Sequence, residues 1–462
     1  MSSKTSPATA TVPVERTFVL LFVILSLSLF FKFWADKHLS LDGVNYFFNV
    51  LENKGFANIA WSRRFTEYLT EWPLVLAVTL DFTDLDLLMD VFALGIYFPY
   101  LVSFLLCVYA VKGENKSLLW FPLAGYLGFN TLSDYDMIAD HHVLAVMTWP
   151  ILLMLMRTQP LKWLEGVILW CMLAAYTRMY ETAVLTAGIF LFIAFARLYV
   201  FRSSRERFII GVAVVLLGIV AFIAIQYIID PRSPQNLGAF LDSIWVNRRN
   251  WEAVTTSTFL ALLGVAWLIS DARKNLKTLW SVFALIPIGV YAYMRMSHPE
   301  YAITAHLSFS SRTLIGLVIP GLMLVCILVV LGRRKLTATG INVFVIGFFV
   351  MTLFNLYDLR HWTAVRAEFW KAAASSEMFL PIDQTPLGDG NLELRHHRWS
   401  WNNPLLSLIW AGGCVRTIVL NNPHGPQGPF DPRDRLVLKR YLKYDASFQA
   451  VDPTVTTCVN TD

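Results

Sequence analysis

Charge is what this sequence has little of. Only 15% of its 462 residues are Asp, Glu, Lys or Arg, while 56% are hydrophobic, and the mean hydropathy is +0.52. A soluble domain carries about 25% charged residues, so the shortage excludes an ordinary water-soluble fold. Several apolar runs are long enough to cross a bilayer as helices. A signal-peptide cleavage site is also missing. The first apolar run ends in "FFKFWADKHLS", without the small residues a peptidase needs, and predicts a retained helix. No internal repeat is visible. Nor are there paired, interrupted apolar segments in two related halves, which would point to a transporter.

Cysteine is sparse, with five in the chain. Cys107, Cys171 and Cys326 lie in apolar runs and read as buried, inert thiols. Cys414 and Cys458 lie in the polar C-terminal region. They form a disulfide if that region is extracytoplasmic, or remain two unrelated thiols. The net charge of +5 is spread over short connectors and signals orientation, so no nucleic-acid partner is expected.

The apolar segments fall at 17–35, 87–111, 117–133, 138–157, 163–177, 182–200, 208–229, 253–271, 278–294, 312–332 and 338–357. They predict an α-helical polytopic membrane protein with about eleven transmembrane helices. If residues 1–16 are a cytoplasmic tail, the returning connectors are "KGENK", "RTQPLK", "RLYVFRSSRER", "DARKNLK" and "GRRK", each short and basic. The opposite side receives "LSDYDMIADHH", which has no Lys or Arg, and "TRMYE", which has one. The expected division is a transmembrane module at 17–357 with an amphipathic first outer loop at 36–86. A small α+β extracytoplasmic domain follows at 358–462. The long segments all fall on the outer side, so chemistry is expected there.

The first outer loop holds two amphipathic stretches. In "LSLDGVNYFFNVL", Val44, Phe47, Phe48 and Leu51 recur at helical spacing behind Asp42. In "SRRFTEYLTEWPLVLAVTL", Trp72 precedes a proline. Both read as helices lying along the membrane interface. In the tail, "LRHWTAVRAEFWKAAAS" is a helix candidate, and "CVRTIVLNNPHGPQGP" reads as a strand running into a loop.

Asp42 is the first chemical candidate. A carboxylate at the membrane mouth can deprotonate an acceptor hydroxyl, or it can cap the helix that follows, a role worth about 1 kcal/mol. The second is the loop holding Asp134, Asp136, Asp140, His141 and His142. Asp134 and Asp136 could share a divalent cation, Mg or Mn, and the histidines could bind metal or phosphate. The alternative is a solvated acidic turn. A third set comprises Arg178, Tyr180, Glu181, Arg248, Arg249, His298, Glu300, His306 and Arg312 on the same side. Arginines there bind phosphate bidentately or snorkel to lipid headgroups. Arg312, behind Ser308, Ser310 and Ser311 at a helix start, is the leading phosphate candidate. Trp399, Trp401 and Trp410 either stack on sugar rings or pack a core.

An acid after the first span, an amphipathic first outer loop, a second acidic motif between spans three and four and a polar C-terminal domain resemble the GT-C superfamily. That group includes oligosaccharyltransferase catalytic subunits, protein O-mannosyltransferases and lipid A aminoarabinose transferases. The resemblance implies an inverting glycosyltransferase that takes a sugar from a polyprenyl-phosphate donor. The acceptor would be a glycolipid, polysaccharide or protein outside the bacterial plasma membrane. Asp42 matches the first acidic motif, and Asp134 and Asp136 match the second, as metal or substrate ligands. The WWDYG-type signature of oligosaccharyltransferases is absent. The other readings are an O-antigen ligase or polymerase type of transferase and a lipid-linked sugar transporter or flippase.

Overall fold

The computed structural model describes residues 14–40, 42–58, 63–112, 114, 116–132, 141–180, 182–229, 319–331, 338–388, 402–411, 414–420, 440–450 and 456–458. The described chain is mostly helical. Its helices are α1 (Val14–Trp34), α2 (Asp42–Asn53), α3 (Arg64–Thr79), α4 (Leu85–Ala110), α5 (Trp120–Leu132) and α6 (His141–Leu155). They continue with α7 (Trp163–Tyr176), α8 (Ala183–Val200) and α9 (Ser204–Ile229). Then come α10 (Ile319–Val330), α11 (Ala338–Ala373) and α12 (Asn403–Ile409). Among them α4, α8 and α9 are long and apolar enough to cross a membrane. The segments 253–271 and 278–294 lie outside the described residues.

Exposure follows a membrane pattern. On α4 the outward positions Leu94, Phe98, Leu101, Leu105 and Val108 are exposed, while Ser103 and Cys107 are buried. Large apolar groups on the surface and small polar ones inside are favourable only in a lipid solvent. Cys171 departs from expectation here. It is exposed on α7, whereas Cys107 and Cys326 are buried.

Three of the connectors expected to be cytoplasmic meet at one end of the bundle. Arg157 Nη1 donates to Glu165 Oε1 at 2.6 Å, and Arg197 Nε donates to Glu206 Oε1. Arg197 also donates to the carbonyls of Leu155, Arg157 and Gln159. The second Glu206 oxygen accepts from the Leu161 amide at 2.7 Å, and Glu114 accepts from the Thr158 amide at 2.9 Å. The two remaining basic connectors, 271–277 and 332–335, lie outside the described residues.

The other end gathers the first loop and the C-terminal region. Helix α11 runs without a break from 338 to 373, so the helix foreseen at the head of the tail continues the last apolar segment. Beyond it, β1 (Phe379–Pro381) pairs in parallel with β3 (Ile418–Leu420), and β2 (Cys414–Val415) pairs in parallel with β4 (Lys443–Tyr444). Trp410 packs on Trp362 at 5.3 Å and Phe369 at 5.6 Å, so it belongs to the core. Trp399 and Trp401 lie outside the described residues.

Cys414 and Cys458 form a disulfide, with Cα atoms 6.0 Å apart and 44 residues apart in sequence. Closing a loop of that length removes denatured-state entropy worth about 2–4 kcal/mol. Reduction, or Cys458→Ser, is therefore expected to loosen the strand pairs locally. The check is limited proteolysis with and without dithiothreitol, in which cleavage around 440–458 should accelerate.

Helices α3 and α4 form a close antiparallel pair. A Cβ built on Gly95 would lie 1.9 Å from the Thr70 carbonyl oxygen, which is backbone and cannot swing aside. Gly95→Ala must push the helices apart, and overpacking of this kind costs about 1–3 kcal/mol. A lowered melting temperature in detergent, compared with Gly211→Ala where the added Cβ meets open space, would measure it.

Candidate functional site

The buried apolar residues form two separate cores. The first joins Leu21, Ile24 and Leu25 of α1 to α4 from Tyr100 onward, with α5 to α9 and part of α10. The second joins Ala35 and Leu39 to α2, α3, α4 up to Ile96, the end of α11 from Trp362, and the C-terminal strands. Three helices pass from one core to the other: α1 between Leu25 and Ala35, α4 between Ile96 and Tyr100, and α11 between Val345 and Trp362.

The levels match. Phe22 of α1 touches Phe104 of α4 at 5.9 Å, and His38, just beyond α1, touches Phe92 at 6.1 Å. The intervening stretch of α1 therefore faces the Ile96–Tyr100 turn of α4. Within these crossings the buried residues include polar ones: Ser28 and Lys32 on α1, and Thr352 and His361 on α11. His142, from the first turn of α6, joins them. Its Nε2 lies 3.3 Å from the Ile96 carbonyl, and its ring stacks on Tyr100 at 6.0 Å, with 13° between the planes. Tyr100 meets Tyr126 edge-on at 5.8 Å, and the Tyr126 hydroxyl is 2.7 Å from Ser103 Oγ. A buried polar layer thus lies between two apolar cores. Ionisable groups at such depth are costly and face partners or a pathway.

The turn after α7 reaches the same region. Helix α7 has 14 residues and is about 21 Å long, shorter than the roughly 30 Å of hydrocarbon. Its far end stops within the bundle and meets the N-terminus of α3. The Phe65 amide donates to the Arg178 carbonyl at 3.2 Å, and Thr66 Oγ1 donates to the Met179 carbonyl at 3.1 Å. The Arg63 guanidinium lies over the Tyr180 ring at 4.6 Å. Of the residues singled out in sequence, Arg178, Tyr180 and His142 are thereby placed on described elements at the level of the layer. The first turn of α6 carries His141 as well.

No family model matches this chain, and neither a curated protein nor a solved structure matches it. The functional reading therefore rests on the residues themselves.

Asp42 lies beyond the layer, at the far end of the connector from α1. It is the first residue of α2, half-buried and partnered, where a negative charge also suits the helix dipole. Behind it Val44, Phe47, Phe48 and Leu51 are all buried, as their spacing implied. The connector is tied down firmly. Asp36 adopts a left-handed backbone with φ 54° and accepts from Arg366 Nη1 at 2.6 Å. The Ala35 carbonyl accepts from Trp362 Nε1 at 2.8 Å, and the Lys37 ammonium lies over the Trp362 ring at 4.9 Å. Burial raises the Asp36 carboxyl above its ordinary value, Asp90 and Asp86 add to this, and Arg366 opposes it. His38 is fully enclosed beside Phe33 and Phe92, and desolvation pushes its imidazole down to about 3, so it is neutral.

Asp134, Asp136, Glu181, Arg248, His298 and Arg312 lie outside the described residues. Among the described residues no group of three His, Cys, Asp or Glu could hold a metal ion.

Sequence reasoning passed over Lys32, Glu67 and Glu71. Lysine in the last turn of a span ordinarily snorkels to the interface, but Lys32 is buried. Glu67 and Glu71, one helical turn apart on α3, are each only 1% exposed. One Glu71 oxygen accepts from the Ala57 amide at 2.8 Å, which fixes the chain after α2. The available signal was the spacing Thr66, Glu67, Thr70, Glu71: one polar face whose direction the sequence leaves open.

Proposed function

We propose that this chain is an integral-membrane glycosyltransferase of the GT-C type, moving a sugar from a polyprenyl-phosphate-linked donor to a glycan, glycolipid or protein acceptor. The observation that supports the reading is the buried polar layer, with Lys32, His142 and the Arg178–Tyr180 turn, beneath the connector that presents Asp42. In the reaction the acceptor hydroxyl attacks the anomeric carbon. Its proton passes to the Asp42 carboxylate, and the bond to phosphate breaks with its electron pair leaving on polyprenyl phosphate. Lys32, a buried basic residue, is proposed to hold that phosphate together with Arg178, Arg248 and Arg312, the last two of which lie outside the described residues. Asp134 and Asp136 remain the proposed ligands for a divalent cation or the sugar, with His141, His298 and Glu181 as further substrate contacts.

The topology that goes with it has about eleven spans, a cytoplasmic N-terminus and a transmembrane module at 17–357. The C-terminal α+β domain at 358–462 lies on the periplasmic side of a bacterial inner membrane. Two features support this orientation. The three basic connectors among the described residues cluster at one end of the bundle, in keeping with the positive-inside rule. The disulfide lies in the region at the opposite end, and such bonds persist in oxidising compartments.

A transporter or flippase is the second reading. It draws on the depth of the layer, because transporters bind substrate inside the bundle. Reconstituted protein given a labelled polyprenyl-phosphate sugar separates the two. Label recovered in a new glycosidic bond supports transfer, and label moved across the vesicle without bond formation supports transport.

A further inference from the structure

We propose that α3 is a re-entrant membrane helix, dipping from the outer end of α4 into the bilayer. One side lies against lipid acyl chains, and the other turns its carboxylates toward the polar layer. Amphipathic spacing by itself predicts a helix lying flat on the interface.

The first argument is its inverted amphipathicity. A helix lying at a water interface turns its charges out and its aromatic and aliphatic groups in. In α3 the buried positions are Thr66, Glu67, Thr70 and Glu71, together with Leu74, Ala77 and Val78, while Trp72, Leu76 and Leu80 just beyond its end are exposed. Carboxylates inward and Trp and Leu outward is the arrangement of a helix whose solvent is hydrocarbon.

The second argument is its level. On the outward face of α4, Asp86 and Asp90 are exposed, then only apolar groups are exposed from Leu94 to Val108, then Lys112 is exposed. From Asp90 to Lys112 the rise is about 33 Å, close to the thickness of a hydrocarbon core. Gly95 meets Thr70 and Pro73, and Trp72 meets Phe98 edge-on at 5.9 Å, both inside that band. The pair is antiparallel, so each residue of α3 before Thr70 lies deeper still. Its N-terminus arrives at the Arg178–Tyr180 turn. The exposed face of α3 continues the lipid-facing stripe of α4, and its occupant is the acyl chains of that leaflet.

The test uses full-length protein in liposomes with Cys171→Ser, since Cys107 and Cys326 are buried and Cys414 is bonded to Cys458. Nitroxide labels at Trp72→Cys, Leu76→Cys and Leu80→Cys report depth by collision with oxygen against a nickel chelate. A re-entrant helix gives a graded depth, with the Trp72 label about 12 Å deeper than the Leu80 label. Should Trp72→Cys fail to fold, the Leu76 and Leu80 labels still differ by about 6 Å. Equal depths at all positions would restore the flat interfacial helix. Nickel access at all of them would place the hairpin clear of the bilayer, and a gradient deepest at Leu80 would insert its tip. Each of these outcomes overturns the proposal. Graded depth without glycosyl transfer would leave it standing while the enzymatic reading fell.

Discussion

Asp42→Asn is expected to lower glycosyl transfer by about 10²- to 10⁴-fold, the usual contribution of a positioned general base, with the protein still folded. Asparagine keeps the size and planarity of the side chain but cannot take up the acceptor's proton. Asp42 is the first residue of α2, and the buried face of that helix, from Val44 to Leu51, is untouched by the change. Loss of the charge near the helix N-terminus removes only about 0.3–1 kcal/mol of dipole stabilisation. The melting temperature should therefore move little while the initial rate collapses. The measurement is transfer of labelled sugar from a synthetic polyprenyl-phosphate donor by detergent-solubilised protein, with its thermal unfolding recorded in parallel. A rate near that of the unmodified protein would make Asp42 a helix-terminus residue and would remove the proposed base.

Arg197→Ala is expected to cost about 3–5 kcal/mol of stability, the effect of removing one partner from a buried ion pair. Glu206 is wholly buried, and without the guanidinium its charge has nowhere to go. The damage spreads further, because Arg197 also holds the Leu155, Arg157 and Gln159 carbonyls, and Glu206 holds the Leu161 amide. The 156–162 connector would lose its anchor to α8, leaving only the Glu206 bond to the Leu161 amide. Arg197→Lys is expected to recover only part of the loss, because an ammonium cannot reproduce the planar fork that reaches three carbonyls and a carboxylate. Thermal unfolding in detergent reads both variants. Replacing the pair by Arg197→Met with Glu206→Gln should be milder than Arg197→Ala alone, since no isolated charge remains.

Much of the architecture was legible in the chain because lipid imposes a simple rule. Backbone polar groups must be satisfied within each segment, so long apolar runs become helices. The segments ending near 35, 111, 133, 157, 177, 200 and 229 all correspond to described helices. The spacing of Val44, Phe47, Phe48 and Leu51 fixed the buried face of α2 in the same way. Basic residues in the connectors brought 112–116, 157–162 and 197–207 to one end, and the ion pairs there join them.

The direction of burial was not legible. For α3 the sequence shows a polar stripe and an apolar stripe, but which one faces out depends on whether water or hydrocarbon surrounds the helix. Lys32 and His142 pose the same problem, since a polar residue near a span end can reach the interface or be enclosed by its neighbours.

What the sequence by itself determined is a helical membrane protein with short basic connectors and Asp42 at the start of an amphipathic helix; whether Cys414 and Cys458 are bonded was left to the structure. Only the tertiary structure decided that α1, α4 and α11 each cross between two apolar cores with polar groups buried at the crossing, and that the α3 carboxylates turn inward. Periodicity records which residues share a face of a helix, whereas the depth and surroundings of that face arise from packing against residues far away in the chain.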